Sequence, residues 1–134
     1  MYWQAQSIPN YTNYSHYSNP YEYPYQFAHN NDFRLTLTGK WLCDDGGLYH
    51  IHQPSGTSEI YWLGLSDAGL GTNFTNVFVG DIRPGGIIVG RWGDIPIGNI
   101  MQHGILRLQV ESGGTQLRAI QKTGGFGGSI WTKQ

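Results

Sequence analysis

Residues 77–92 read VFVGDIRPGGIIVGRW, and this stretch indicates the fold more clearly than any other part of the chain. Before the Pro-Gly-Gly turn the pattern is F-x-G-x-I, and after it the pattern is I-x-G-x-W. Because successive side chains of a strand point to opposite faces, each pattern puts two large apolar residues and one glycine on a single face. The stretch therefore predicts a β-hairpin, and its alternation of small and large residues is typical of the wall of a small barrel.

Six more short runs of this kind, separated by Gly, Pro, Asp and Ser, occupy the chain from Leu35 onward. The eight predicted strands are 35–43, 48–53, 59–65, 76–82, 87–94, 104–111, 116–123 and 129–133. Connections this short join antiparallel neighbours, since a parallel crossover needs about a dozen residues. Eight such strands can close on themselves and so remove exposed edges. We therefore predict an all-β fold with a single eight-stranded antiparallel up-and-down β-barrel.

The alternation also predicts which side chains face the barrel interior. The expected inward residues are Gly39, Trp41, Cys43, Phe78, Gly80, Ile82, Ile88, Gly90, Trp92, Leu106, Leu108 and Val110. The expected outward residues are Lys40, Val79, Arg91, Arg107 and Gln109. Asp94 falls on the inward phase, where a carboxylate needs a partner such as Arg91, Arg107 or a tryptophan N–H.

A change in composition divides the chain. All 20 glycines lie between Gly39 and Gly128, whereas residues 1–33 contain seven of the nine tyrosines together with Asn, Ser and Pro. A segment so poor in aliphatic residues cannot offset about 1–2 kcal/mol of backbone entropy per residue. We predict a disordered tail over residues 1–33 and a barrel domain over residues 34–134. An adhesive role for the tail, or a strand at residues 21–25 lying against the domain, stays open.

Charge and composition argue against several classes of partner. The net charge is -1 with no basic stripe, so a nucleic-acid partner is not expected. No apolar run of about 18 residues is present, so we expect neither a spanning helix nor a membrane partner. The N-terminus lacks the pattern of a secretory signal, and the single cysteine, Cys43, cannot form an internal disulfide. These features favour a cytoplasmic protein, with cell-surface or coat association left open.

Two short motifs carry a resemblance to known barrels. Residues 37–41 read LTGKW, and the Cys-Asp-Asp-Gly-Gly turn that follows makes this segment resemble the first strand of the avidins. The closing Ile-Trp at residues 130–131 resembles their last strand, and the Gly-x-Trp motif is also similar to that of the lipocalins, which share the calycin type of barrel. The resemblance implies that Gly39, Trp41 and Trp131 are structural residues of the barrel end.

The biotin chemistry of the avidins does not follow from the resemblance. Cys43 and Gly47 stand where avidins have the Asn and Ser that hold the ureido group. Losing two hydrogen-bond partners costs about 1–3 kcal/mol each, so we expect no biotin binding. The segments VFVGDI, RWGDIP and TGGFGGSIW are also similar to short bacterial barrels of uncharacterised function. That resemblance implies no activity.

Aromatic residues are dense in the barrel region and are the candidates for ligand contact. Rings such as sugars or bases stack on aromatic faces, and neighbouring polar groups supply hydrogen bonds. The predicted ligand-binding residues are Tyr49, Trp62, Asn76, Trp92, Asp94 and Gln121. Packing of the barrel core is the alternative role for the aromatic members of this set.

No motif for catalysis or cofactor binding stands out. His50 and His52 share a strand face, but a metal site needs a third ligand, which His103 or Asp94 would have to supply. We therefore predict no metal and no cofactor. Cys43 has no neighbouring base, and the GGFGG segment at 124–128 precedes no helix, so it is not a phosphate loop. It predicts a wide hairpin with Phe126 exposed at its tip.

Two functions remain after these exclusions. The first is a non-enzymatic binding module that holds a small ligand or glycan at the open end of the barrel. The second is a structural or interaction protein with a filled barrel, whose Tyr/Asn-rich tail mediates assembly. Space over Gly80 and Gly90 would favour the first, and a core filled by Trp62, Trp92 and Leu106 would favour the second. The resemblance to avidins leaves a homo-oligomer open.

Overall fold

The computed structural model describes residues 36–134, which contain eight strands. They are β1 Gly39–Cys43, β2 Leu48–His52, β3 Glu59–Leu65, β4 Thr75–Arg83, β5 Ile87–Asp94, β6 His103–Glu111, β7 Gln116–Lys122 and β8 Ile130–Lys133. Each strand pairs with the next in antiparallel fashion, and β8 pairs back onto β1, so that the sheet closes into a barrel. The predicted fold class is confirmed. The predicted tail, residues 1–33, lies outside the described residues.

Strand β1 begins four residues later than predicted, and side-chain hydrogen bonds explain the difference. The backbone N–H of Leu37 donates to the Gln53 side-chain oxygen at 3.1 Å, and the Thr38 hydroxyl donates to the Gln53 carbonyl at 3.2 Å. These bonds take the place of ladder bonds, so the chain joins the sheet only at Gly39. A one-turn helix, α1, spans Ser66–Gly69 in the longest connection, and a 3-10 turn spans Ser112–Gly114.

The alternation of burial along the strands matches the predicted phase. Trp41, Phe78, Ile88 and Leu106 are buried, whereas Val79 is exposed. The barrel interior is lined mainly by apolar side chains, with Asn76 as a buried polar residue. The buried apolar residues are Leu37, Trp41, Cys43, Tyr49, Ile51, Ile60, Trp62, Phe78, Ile88, Trp92, Leu106, Leu108, Leu117, Phe126 and Trp131.

The up-and-down order puts two kinds of connection at opposite ends of the barrel. The connections after β1, β3, β5 and β7 cover residues 44–47, 66–74, 95–102 and 123–129, and together they form what we call the loop end. The connections after β2, β4 and β6 form the opposite turn end. Trp41 is directed to the turn end, where its indole Nε1 donates to the Leu37 carbonyl at 2.8 Å.

The Phe78 ring packs over two glycines of the β4–β5 hairpin. Gly80 and Gly90 lie opposite each other in the β4–β5 ladder. The Phe78 Cζ atom lies 2.7 Å from where a Cβ of Gly80 would be and 2.5 Å from where one of Gly90 would be. The space that these glycines leave is therefore occupied by Phe78, and only glycine permits this close approach.

This packing predicts a clear difference between two glycines of the same strand. Gly90→Ala should destabilise the barrel by about 1–3 kcal/mol, because the added methyl would overlap the Phe78 ring and the Val79 carbonyl oxygen. Gly93→Ala is the matched control, since its nearest neighbour would be the His103 Cβ at an ordinary 3.7 Å. Urea unfolding of both variants measures the difference. Equal stabilities would contradict the proposed packing of Phe78.

The seam between β1 and β8 is reinforced by Asp44. One carboxylate oxygen of Asp44 accepts the backbone N–H groups of Ser129 at 2.8 Å and Ile130 at 3.2 Å. The Asp44 N–H in turn donates to the Ile130 carbonyl at 3.0 Å. Burial alone would raise the pKa of Asp44, but the hydrogen bonds from Ser129 and Ile130 prevail and lower it.

The lowered pKa of Asp44 predicts an acid-dependent contribution to stability. A carboxylate with a depressed folded pKa stabilises the fold above its unfolded pKa of about 3.9, and the contribution is lost as the pH falls through the folded value. Asp44→Asn should therefore cost about 1 kcal/mol at neutral pH, a figure discounted for solvent exposure. The difference from the unchanged protein should shrink as the pH falls through the folded pKa of Asp44.

Chemical denaturation at several pH values checks this expectation. Asp81→Asn, at an exposed position of β4, serves as the control and should change stability little at any pH. A cost of Asp44→Asn that stays constant from neutral to acid pH would show that the charge of Asp44 does not hold the seam.

Candidate functional site

Aromatic rings from six positions meet inside the loop-end half of the barrel. The members of this aromatic cluster are Tyr49, Trp62, Phe78, Trp92, Phe126 and Trp131. Trp62 is central: its ring stacks on Phe78 with centroids 4.4 Å apart, meets Tyr49 edge-on at 5.3 Å and lies 5.4 Å from Trp131. Strand alternation brings these rings together, because all but Phe126 occupy inward positions of the wall.

Polar groups at the edge of the cluster are engaged with one another. The Tyr49 hydroxyl donates to Asp45 Oδ2 at 2.7 Å, and Asp45 Oδ1 accepts the Gly47 N–H at 2.8 Å. Burial, with the nearby Asp45 charge, raises the pKa of Tyr49, so the phenol stays protonated at neutral pH. The Trp62 Nε1 donates to Asn76 Oδ1 at 2.9 Å.

Two indole N–H groups at this end differ in their partners. The Trp92 Nε1 donates to the Thr123 carbonyl at 3.1 Å. Trp131 is fully buried, and among residues 36–134 its Nε1 finds no hydrogen-bond acceptor. An unsatisfied buried donor costs about 1–3 kcal/mol, which makes the Trp131 N–H an unfavourable feature of the cluster.

Phe126 does not lie where the sequence analysis expected it. Its side chain is only 7% exposed rather than exposed at the tip of the hairpin. The ring meets Trp92 edge-on at 4.8 Å and lies 5.9 Å from Trp131. The flanking glycines allow the chain to turn inward, with Gly124 and Gly125 at positive φ of 80° and 87°. The loop therefore closes the open end with its own aromatic side chain.

A bulge in β7 explains why Gln121 lies away from the aromatic cluster. Leu117 faces inward, so strict alternation along β7 would also direct Gln121 inward. The pairing register with β6 shifts by one residue after Ala119, and Gln121 therefore pairs with Arg107, which is on the outward phase. An extra residue in a strand moves all following side chains to the other face. Gln121 is consequently exposed, and Lys122 takes the inward phase opposite Leu106. The Lys122 ammonium donates to the Gly128 carbonyl at 3.1 Å and so holds the loop of Phe126.

Asp94 lies at the rim, next to Asn76 in the β4–β5 ladder. Its carboxylate accepts the Gln102 backbone N–H at 2.9 Å, and among residues 36–134 it forms no ion pair with Arg91 or Arg107. Of the alternatives suggested for its partner, neither arginine pairs with it, and the Gln102 N–H supplies the hydrogen bond. Burial raises the pKa of Asp94, partly opposed by the Gln102 N–H.

The remaining candidates are separated from the aromatic cluster. His50 and His52 are exposed on the outer face of β2. Residues 36–134 contain no group of three or more His, Cys, Asp or Glu side chains placed to hold a metal ion. Cys43 is buried, and burial raises the pKa of its thiol, so it stays protonated at neutral pH.

The structure thus brings together Tyr49, Trp62, Asn76 and Trp92, with Asp94 at the rim and Gln121 apart. Sequence reasoning did not assign Asp45, Phe126 and Trp131 to the candidate site. Trp131 could have been assigned to the site from the sequence, because strand alternation directs its side chain to the barrel interior. The position of Phe126 depends on how a five-residue loop folds back, for which strand periodicity carries no signal.

No protein-family model, curated protein or solved structure matches the chain significantly. The resemblance to avidins and lipocalins therefore extends, as a finding, only to the closed eight-stranded antiparallel barrel. Within residues 36–134, none of the helical segments has the length and apolar character needed to cross a membrane.

The inward position of Phe126 predicts a large effect of removing its ring. Phe126→Ala should destabilise the protein by about 3–5 kcal/mol and shift tryptophan emission to longer wavelength, as water reaches Trp92. Ile97→Ala, at an exposed position of the same end, is the control and should cost less than about 0.5 kcal/mol. Equal, small costs in urea unfolding would show that the ring does not occupy the interior.

Proposed function

We propose that the protein is a non-enzymatic binding module that takes a small ring-containing ligand into the loop end of its barrel. The fully buried indole N–H of Trp131, without an acceptor among residues 36–134, carries the proposal. A ligand with a carbonyl or similar acceptor would satisfy this donor. The rings of Tyr49 and Trp62, which neighbour Trp131, would contact the ligand's apolar or aromatic body.

Entry of a ligand would use the loop of residues 123–129. Phe126 is the one member of the aromatic cluster that comes from a connection rather than from a strand, so it can withdraw without breaking the ladder. The space under Gly80 and Gly90 is taken by Phe78, which directs the expected ligand position toward Trp131 and Phe126. In this proposal the ligand occupies the space that the Phe126 ring fills in the unliganded protein.

The polar groups favour a ligand with few hydrogen-bonding atoms over a glycan. Asn76 Oδ1 is engaged by Trp62, and both oxygens of Asp45 accept bonds from protein donors. A sugar would need many free donors and acceptors, so the small-ligand form of the hypothesis is better supported. Biotin is not proposed, because Cys43 offers a buried thiol, and Gly47 no side chain, to its polar head.

An enzymatic role receives less support from the same residues. Burial raises the pKa of both the Cys43 thiol and the Tyr49 phenol, which keeps them protonated and poorly nucleophilic at neutral pH.

The filled-barrel alternative is supported by the burial of Phe126 against Trp92 and Trp131. It is also supported by the burial of Trp62, Trp92 and Leu106 and by the Phe78 ring that occupies the space beside Gly80 and Gly90. If Phe126 is a permanent plug, the barrel is a rigid scaffold and recognition passes to its outer surface or to residues 1–33.

A thermal-shift screen of the full chain separates these functions. The panel contains aromatic heterocycles, sterols, sugars and biotin. We expect a heterocycle or another ring with a carbonyl acceptor to stabilise the protein, by about 2.7 kcal/mol at 100 times its dissociation constant. Trp131→Phe should abolish the shift because it removes the N–H donor. Trp41→Phe, which removes an indole already bonded to Leu37 at the turn end, should retain it.

Nuclear magnetic resonance gives a direct second readout. The indole N–H resonance of Trp131 should move downfield on ligand addition, as expected for a new hydrogen bond, while that of Trp41 should stay in place. If a compound still raised the melting temperature of Trp131→Phe, the Trp131 N–H would not be the donor that binds it. The absence of any stabilising compound, also in Phe126→Ala, would favour the filled scaffold.

A further inference from the structure

Strands β3 and β4 carry a continuous apolar patch on the outer face of the barrel. Tyr61 and Leu63 point outward from β3, and Val77 and Val79 point outward from β4. The register puts Tyr61 directly opposite Val79 and Leu63 directly opposite Val77, so the four side chains are cross-strand neighbours. All four are exposed, Val79 to 54%. We call these four residues the β3–β4 patch.

The two strands are apolar on both faces, which is unusual for a wall that faces water. Residues 60–65 and 77–80 contain no charged side chain. A strand with one face in water normally alternates apolar and polar residues, whereas a strand covered on both faces reads as a nearly continuous apolar run. The outward positions of the adjoining strands include His50 and His52 on β2 and Arg91 on β5. The sequence of β3 and β4 is therefore typical of a wall that another segment covers.

The described part of the chain begins close to the β3–β4 patch. The Leu37 N–H donates to the Gln53 side chain, and Gln53 directly follows His52, the last residue of β2. His52 pairs with Tyr61 of the patch. Two strand spacings separate β1 from β3, which is a distance of about 10 Å. The chain that precedes residue 36 is thus attached beside the patch.

This preceding chain contains a segment suited to the β3–β4 patch. Residues 21–25 read YEYPY, with a tyrosine at every second position. Tyrosine rings pack well on β-branched side chains such as those of Val77 and Val79. The ten residues 26–35 connect this segment to the barrel, and ten extended residues reach about 33 Å. The segment can therefore reach any part of the patch.

The charges on this face restrict where the segment can lie. Arg91 adjoins the β3–β4 patch at mid-strand, as the cross-strand neighbour of Val79. Glu59 and Asp81 oppose each other at the turn end of the same two strands. Glu22 is the one charged residue of YEYPY, so its carboxylate is favoured beside Arg91 and disfavoured at the turn end.

From the patch, its position and this sequence we infer that residues 21–25 dock on the outer face of β3 and β4 of the same chain. A stable dimer needs about 20–30 residues on each side, far more than the four of the β3–β4 patch. A tethered segment needs fewer contacts, because the tether gives it an effective concentration of about the millimolar range. The closed barrel offers no free edge, so the docking uses side chains and does not require the backbone N–H that Pro24 lacks.

The inference is independent of the proposed ligand site, because the β3–β4 patch faces outward while the aromatic cluster lies inside the barrel. It bears on the scaffold alternative. A segment held on its own barrel would have to leave the patch before it could mediate assembly.

Disulfide trapping in the full chain tests the docking. Tyr23→Cys combined with Val79→Cys should form an intramolecular disulfide under mild oxidation, detected by mass spectrometry of the monomer. The matched control combines Tyr23→Cys with Gln121→Cys, an exposed position of β7 on the opposite side of the barrel, and should yield several-fold less. Cys43 does not compete, because it is buried and its raised pKa keeps the thiol protonated.

Chymotrypsin, which cleaves after aromatic residues, gives a second readout. Cleavage within residues 21–25, measured relative to cleavage after Tyr11, should be several-fold faster in Val77→Ser/Val79→Ser than in the unchanged protein. Ile120→Ser is the matched control, since this residue is also aliphatic and exposed but lies on β7. Circular dichroism melting checks that both variants fold.

Three results would overturn the inference. The first is equal trapping at Val79→Cys and Gln121→Cys. The second is a disulfide that forms mainly between two chains, because the occupant of the β3–β4 patch would then be a second copy. The third is cleavage within residues 21–25 that is as fast in the unchanged protein as in Val77→Ser/Val79→Ser.

Discussion

Closure of the sheet between its first and last strands is the constraint on which the rest of this structure depends. The register opposes Cys43 to Trp131, and the Asp44 carboxylate ties the start of β8 to the end of β1. This seam directs the Trp131 indole into the barrel, where it meets rings from β2 and β3. Without closure, the aromatic cluster would be an exposed sheet face, and its buried N–H would bond to water.

The two ends of the barrel differ in how their buried indole N–H groups are hydrogen-bonded. At the turn end, the buried Trp41 indole N–H has an acceptor, the Leu37 carbonyl. At the loop end lie the Trp131 indole, which has no acceptor among residues 36–134, the loop residue Phe126 and several exposed aliphatic side chains. Buried polar groups without partners and exposed apolar side chains are expected at binding sites, because the bound molecule supplies the missing contacts.

Much of the fold could be predicted from the sequence because strand periodicity and turn composition are local signals. The bounds of β3 and β5 were predicted to the residue, and the alternation around Gly80 and Gly90 assigned the interior face. The candidate site was predicted in part. Tyr49, Trp62 and Trp92 converge because they occupy inward positions, whereas Gln121 points outward because a bulge at β7 shifts the phase by one residue.

The sequence by itself thus determined that the chain forms an eight-stranded antiparallel barrel with an aromatic interior, since side-chain alternation and short glycine-rich turns leave few other arrangements. Only the tertiary structure decided that Phe126 closes the open end, that the Trp131 N–H has no acceptor among residues 36–134 and that aliphatic side chains of residues 95–102 are exposed. These features depend on how connections pack against strands distant in sequence. Neither periodicity nor composition encodes such contacts, because they arise only when the barrel closes.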